Sequence, residues 1–70
     1  MQQKESVYNN VQEMRKQKGV TQQDFADAVG VTRQTVISIE KGNYVPSVLL
    51  ALKISLYFGL NVESIFTIKK

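Results

Sequence analysis

The side chains that ordinarily do covalent or proton-transfer chemistry are scarce in this chain: its 70 residues include no cysteine and no histidine. Disulfides and thiolate or imidazole metal sites are thereby excluded, together with most nucleophilic and acid–base machinery. No cluster of titratable groups can be placed in a pocket, so an enzyme is not expected. What the sequence does offer is a set of hydrogen-bond donors gathered around apolar residues in TRQTVISIEKG, Thr32 to Gly42. Arg33, Gln34, Ser38 and Lys41 can donate to a polar or anionic partner. Ile37 and Ile39 sit among them, inside a β-branched run, and only the backbone conformation decides where they point. Residues two apart share a face in a strand but lie about 200° apart around a helix. If the stretch is helical, one isoleucine is displayed among polar side chains, which is the make-up of a contact surface rather than a catalytic one.

The elements that must position this stretch are constrained by size and charge. Seventy residues make one domain with a small core. The net charge of +3 suits a polyanionic partner without requiring one. Residues 1–30 hold four basic and four acidic side chains. The excess therefore comes later, from Arg33 and Lys41 against Glu40, then Lys53, Lys69 and Lys70 against Glu63. The opening MQQKESVYNN is polar, and the longest apolar block, VLLALKISLYFG, is interrupted by Lys53 and falls short of the roughly 20 residues of a membrane span. A cytoplasmic protein with no membrane or metal partner and no cofactor is expected.

Glycines 19, 30, 42 and 59 all fall between apolar-periodic segments, and each is followed within five residues by a good N-cap: Thr21, Thr32, Ser47 or Asn61. Asn10 precedes the first segment. Asn10 with Glu13 and Thr21 with Asp24 imitate capping boxes. The spacing predicts helices over 10–18, 22–29, 33–41, 48–58 and 62–66. Two short helices joined by Gly30-Val31-Thr32 form a helix-turn-helix, whose second member can be laid in a DNA groove. Thr32 and Gly42 bracket that second helix and overrule its β-branched run. Val36 and Ile39 then face the core, expected to pack with Phe25, Ala26, Val29, Val11 and Met14. Ile37 faces outward with Arg33, Gln34, Ser38 and Lys41.

The segment GVTQQDFADAVGVTRQTVISIEKGNYVPS, with RKQKG before it and ALKIS and VESIF after it, resembles the phage-repressor and Cro group of XRE-type helix-turn-helix regulators. The resemblance implies an all-α fold: a compact five-helix lambda-repressor-like DNA-binding domain over 10–66, with its helix-turn-helix at 22–41. Residues 1–9 and 67–70 flank it, and Val7-Tyr8 can pair with Phe66-Thr67-Ile68 as two short strands, as in some small relatives. By resemblance, Arg33, Gln34 and Ser38 read base edges in the major groove, with Thr35 and Ile37 beside them. Their chemistry suits this: arginine can span O6 and N7 of guanine, glutamine can bond adenine N6 and N7, and an aliphatic side chain can meet the thymine methyl. Phosphate contacts are expected from Thr21, Gln22, Thr32, Lys41, Asn43 and Tyr44. Thr21 and Thr32 are N-caps first, a role compatible with phosphate contact. Arg15 and Glu40 resemble the family's ion pair between the first and third helices, and are therefore assigned an orienting role rather than base contact.

Nine of the eleven positions from Val48 to Phe58 are apolar, which predicts a central helix buried nearly all round. Leu60, Asn61, Val62, Ser64, Ile65 and Phe66 then supply more apolar surface than the remaining core can take up, and are expected to meet a second copy. Such a homodimer would read an inverted-repeat operator in double-stranded DNA, half-sites about 34 Å apart. The resemblance thus implies a bacterial or phage-encoded transcription regulator, a repressor, associated with the nucleoid when bound. The alternative from another class is a protein-interaction module such as an antitoxin or anti-regulator, gripping a protein through the same helix face.

Overall fold

Hydroxyl caps start three of the helices. Thr21, Thr32 and Ser47 accept the backbone N–H three residues on, from Asp24, Thr35 and Leu50, at 3.0, 3.2 and 3.2 Å. The computed structural model describes residues 6–69. Along the chain it consists of β1 (Ser6–Asn9), α1 (Val11–Lys18), α2 (Gln22–Val29), α3 (Arg33–Glu40), α4 (Val48–Phe58), α5 (Val62–Ile65) and β2 (Phe66–Lys69). The fold is the expected five-helix one. The two strands pair antiparallel, Ser6 opposite Lys69 and Asn9 opposite Phe66, so the terminal pairing also forms.

The end of α3 is a full Schellman closure. Gly42 takes φ of +80°, its N–H donates to the Ile39 carbonyl at 2.9 Å, and the Asn43 N–H donates to the Ser38 carbonyl at 2.9 Å. Glycine adopts that left-handed conformation without the Cβ penalty of other residues. Lys41 is the helix C-cap rather than its last residue.

The core consists of Val11, Phe25, Ala26, Val29, Val36, Ile39, Leu50, Ile54 and Ile65. Val36 and Ile39 are both completely buried, as their helical register required, whereas Met14 is only half-buried. Phe25 stacks against Tyr57 and Phe58 with ring centroids 5.3 Å away in each case, which ties α2 to the end of α4.

Asn61 stands at the N-cap of α5 without a side-chain cap hydrogen bond, and three further expectations are corrected. Asn10 does not cap α1, because its backbone, at φ −118° and ψ 32°, turns the side chain toward α5. There its Nδ2 donates to the Ser64 carbonyl at 3.3 Å, and Asn9 Oδ1 takes the Val11 N–H instead, at 3.0 Å. Second, α4 is not buried all round. Only Leu50 and Ile54 are buried on it, while Val48, Leu49, Leu52 and Leu56 are 76, 64, 49 and 82 % exposed. The helix lies against α2 and α5 on one side, and on the other its apolar side chains are exposed among the described residues. Third, Ile65 is a core residue at 2 % exposure, so the protomer itself consumes the side chain that was expected to serve a dimer contact.

Deleting the buried Ile39 side chain tests the register of α3. Ile39→Ala is expected to lower the unfolding free energy by about 2–5 kcal/mol, as measured by urea titration. A loss comparable to that of a surface substitution would place Ile39 outside the core and the helix in a different register.

Candidate nucleic-acid interface

On α3, opposite the buried Val36 and Ile39, Arg33, Gln34 and Lys41 are exposed, and Ile37 and Ser38 are half-buried between them. The outward face is therefore a ridge of donors with one aliphatic side chain set into it. Thr35 belongs only partly to this face. Its N–H is capped by Thr32, and its hydroxyl lies 3.0 Å from the Thr32 hydroxyl. A base or phosphate contact by either threonine must share or break that hydrogen bond.

A recess flanks the ridge on each side. One is lined by Arg15, Thr21, Gln22, Gln23 and Arg33, between the start of α2 and the start of α3. The other is lined by Thr32, Gln34, Thr35, Ser38, Asn43 and Tyr44, between α3 and the loop that follows it. The side chains singled out in the sequence for base and phosphate contact thus gather on one surface, with Lys41 at its edge. The short turn Gly30-Val31-Thr32 sets α2 against α3, and the Schellman closure delivers Asn43 and Tyr44 to the second recess.

Beneath the ridge lies the expected ion pair. Arg15 donates from Nε to Glu40 Oε2 at 2.6 Å and from Nη2 to Oε1 at 3.3 Å, in a two-pronged arrangement. Its Nη1 donates to the Val20 carbonyl at 2.9 Å. The Arg15 and Glu40 side chains are only 10 and 2 % exposed. Gln22 joins them, its Nε2 donating to Glu40 Oε1 at 3.1 Å. Gln22 is expected at a phosphate, but its amide is engaged with Glu40, which anchors the first turn of α2 to α3. The signal available in the sequence was weak, because a glutamine after an N-cap serves either role.

Two neighbours of this surface escaped the sequence. Gln23 lines the first recess, although its Nε2 is held by Asp27 Oδ1 at 2.9 Å. Strand β1 lies beside Glu40, Lys41 and Gly42 and forms a groove with them, fastened by a hydrogen bond from Asn9 Nδ2 to the Ile39 carbonyl at 3.1 Å. That adjacency depends on a contact thirty positions apart and has no local pattern.

The residues expected at a two-fold contact are divided. Leu60, Asn61 and Ser64 are exposed, Val62 and Phe66 half-buried, and Ile65 buried. Among the described residues no helix is long and apolar enough to cross a membrane.

A family model described as helix-turn-helix matches residues 11–65. The chain is 50 % identical over 62 residues to the uncharacterized HTH-type transcriptional regulator YgzD of Bacillus subtilis, covering 89 % of this chain and 94 % of that one. It is 55 % identical over 47 residues to an HTH-type transcriptional regulator of Methanocaldococcus jannaschii, covering 67 % and 71 % of the two chains. Among solved structures, it is similar to the restriction-modification controller protein C.AhdI of Aeromonas hydrophila, with a TM-score of 0.71 and 26 % identity over 77 % of this chain and 82 % of that one.

Removing one partner of a buried ion pair leaves the other charge without compensation. Arg15→Ala is accordingly expected to destabilise the fold by about 3–5 kcal/mol, and the double variant Arg15→Met with Glu40→Leu by distinctly less. Thermal and urea unfolding of both check this. Equal losses would mean that the Glu40 charge left behind in Arg15→Ala adds nothing to the cost.

Proposed function

Because the chain belongs to the XRE-type helix-turn-helix family of DNA-binding transcriptional regulators, we propose that it is a repressor. It binds an inverted-repeat operator as a homodimer, α3 lying in the major groove. The observation that carries this reading is the ridge of Arg33, Gln34, Ile37 and Ser38, exposed or half-exposed between two recesses whose walls carry Thr21, Thr32, Asn43 and Tyr44. Arg33 and Gln34 are the exposed donors on α3 itself, and their chemistry fits guanine and adenine edges respectively. Ile37 offers an aliphatic surface to a thymine methyl. Ser38 and Thr35 lie nearer the wall of the groove and take a secondary part. Lys41, Asn43, Tyr44 and the first turn of α2 hold phosphates on the two sides of the groove, which sets register without reading sequence.

Support for the homodimer comes from the exposed side of α4. Val48, Leu49, Leu52 and Leu56 fall within about 100° of arc on that helix, and exposed Leu60 follows in the turn beyond it. An apolar stripe of this kind on a small domain marks an interaction surface. A second copy is the partner that DNA binding favours: one module buries little area on DNA, whereas a two-fold pair reads two half-sites about one helical turn apart. Leu60, Asn61, Val62, Ser64 and Phe66 are the further contacts of this reading. Occlusion of polymerase at the operator is the simplest route to repression.

Sequences selected from a random duplex pool by the wild-type chain provide the operator for the test. On that operator, the combined Arg33→Ala and Gln34→Ala variant is expected to lose about 2–6 kcal/mol of discrimination against unrelated DNA, at about 1–3 kcal/mol for each base contact. Ile37→Ala is expected to shift preference at a thymine-bearing position. Unchanged operator retention by the double variant would remove base reading by α3 and favour a protein ligand for this face. A monomer by light scattering at micromolar concentration would remove the dimer.

A further inference from the structure

From Gly42 to Ile68 the chain carries only two charged side chains, Lys53 and Glu63. That stretch contains both segments assigned above to the second copy: the stripe Val48, Leu49, Leu52 and Leu56 on α4, and the turn and short helix that follow it. Both charges are exposed. Neither forms an ion pair or a side-chain hydrogen bond among the described residues, where the one ion pair joins Arg15 to Glu40. Lys53 borders the stripe, about 40° beyond Leu49 around α4. Its Nζ lies 3.9 Å from the point that a Cβ on Gly30 would occupy. The ammonium thus stands beside the C-terminal end of α2, whose dipole attracts it. Asp27 lines the same recess without pairing with it. Glu63 stands in the first turn of α5, between half-buried Val62 and exposed Ser64.

A two-fold interface uses the same patch twice, so a contact between two unlike residues occurs at two symmetric points. Two segments can meet across such an axis in two ways. Stripe against stripe would bring together two copies of a helix whose only charged side chain is a lysine, and would leave Glu63 without a partner. Stripe against the 60–66 segment of the second copy removes both faults: each Lys53 gains a carboxylate, and the exposed Leu60 gains an apolar surface. Charge complementarity therefore favours the second arrangement.

We propose that the two copies of the homodimer cross over, the α4 stripe of each receiving the 60–66 segment of the other, with Lys53 paired to the partner subunit's Glu63 at two symmetric points on the rim. The apolar contact supplies affinity, and the two charge pairs fix the register of one copy on the other. The proposal rests on the homodimer reading above.

Sedimentation equilibrium of the full chain measures the dimer dissociation constant. Lys53→Glu sets like charges against each other at both points, and so does Glu63→Lys. Each is expected to raise the constant about 100-fold, the effect of like charges juxtaposed in an interface. In an equimolar mixture of the two variants both points carry opposite charges again, and a heterodimer as tight as the wild-type homodimer is expected. The doubly reversed chain, Lys53→Glu with Glu63→Lys, is expected to recover the homodimer. Mixing cannot repair a misfolded chain, so recovery separates pairing from damage to the fold. Wild-type constants for both single variants would overturn the pairing and leave the homodimer standing. Weakening that neither the mixture nor the double reversal relieves would overturn the pairing as well. A wild-type chain that stays monomeric would overturn the pairing and the homodimer together.

Discussion

Glu40 carries its carboxylate into the seam where α1, α2 and α3 meet, and three side-chain donors converge on it there: two from Arg15 and one from Gln22. Burying such a charge costs several kcal/mol, which the attraction of a paired guanidinium roughly offsets, so the net stabilisation is small. The geometry is strict even where the energy is not. A guanidinium fork meets a carboxylate in one plane, and Arg15 is itself fixed by the Val20 carbonyl. Any tilt of α3 against α1 must therefore break charge-assisted bonds that water cannot easily replace, since the Glu40 side chain is 2 % exposed. The recess between Thr21, Gln22 and Arg33 inherits its shape from this junction, because Gln22 belongs to both.

The helix-turn-helix was legible in the sequence because its signals are local. Thr21, Thr32 and Ser47 cap within three residues, and Gly42 closes α3 with bonds spanning three to five residues. The ion pair was legible only through resemblance, since a separation of 25 positions leaves no periodic trace. Asn10 shows the limit of reading caps from residue type. Asparagine at that position has two competing partners, the α1 backbone and the Ser64 carbonyl, and only the arrival of α5 decides between them. The placement of β1 against the end of α3 was hidden for the same reason, as was the burial of Ile65.

The misjudged burial of α4 has a physical origin in domain size. A chain of 70 residues has too little structure to surround a helix. Apolar content alone predicts burial, but burial requires neighbours, and α4 has them on one side, where Phe25, Tyr57 and Phe58 form an aromatic cluster. The leucines on the other side remain in water. Composition reported how apolar α4 is; it could not report that the described residues cover only one side of it.

The two isoleucines of α3 show why the core and the proposed reading surface are a single problem. Successive residues on a helix are turned by about 100°, so no rotation of this eight-residue helix moves one face without the other. Turning it by one position would expose Val36 and Ile39, giving up about 1.5–3 kcal/mol for each aliphatic side chain, and would carry polar neighbours such as Gln34 toward the core. The penalty exceeds anything a base contact returns, at about 1–3 kcal/mol. Packing therefore dictates which positions face outward, and leaves the identity of the exposed residues there to other constraints. Arg33, Gln34 and Ile37 are constrained only by what they touch, whereas Val36 and Ile39 are constrained by the fold. On the proposed reading, a change at the latter pair alters recognition indirectly, through the pose of the helix, although both side chains are buried.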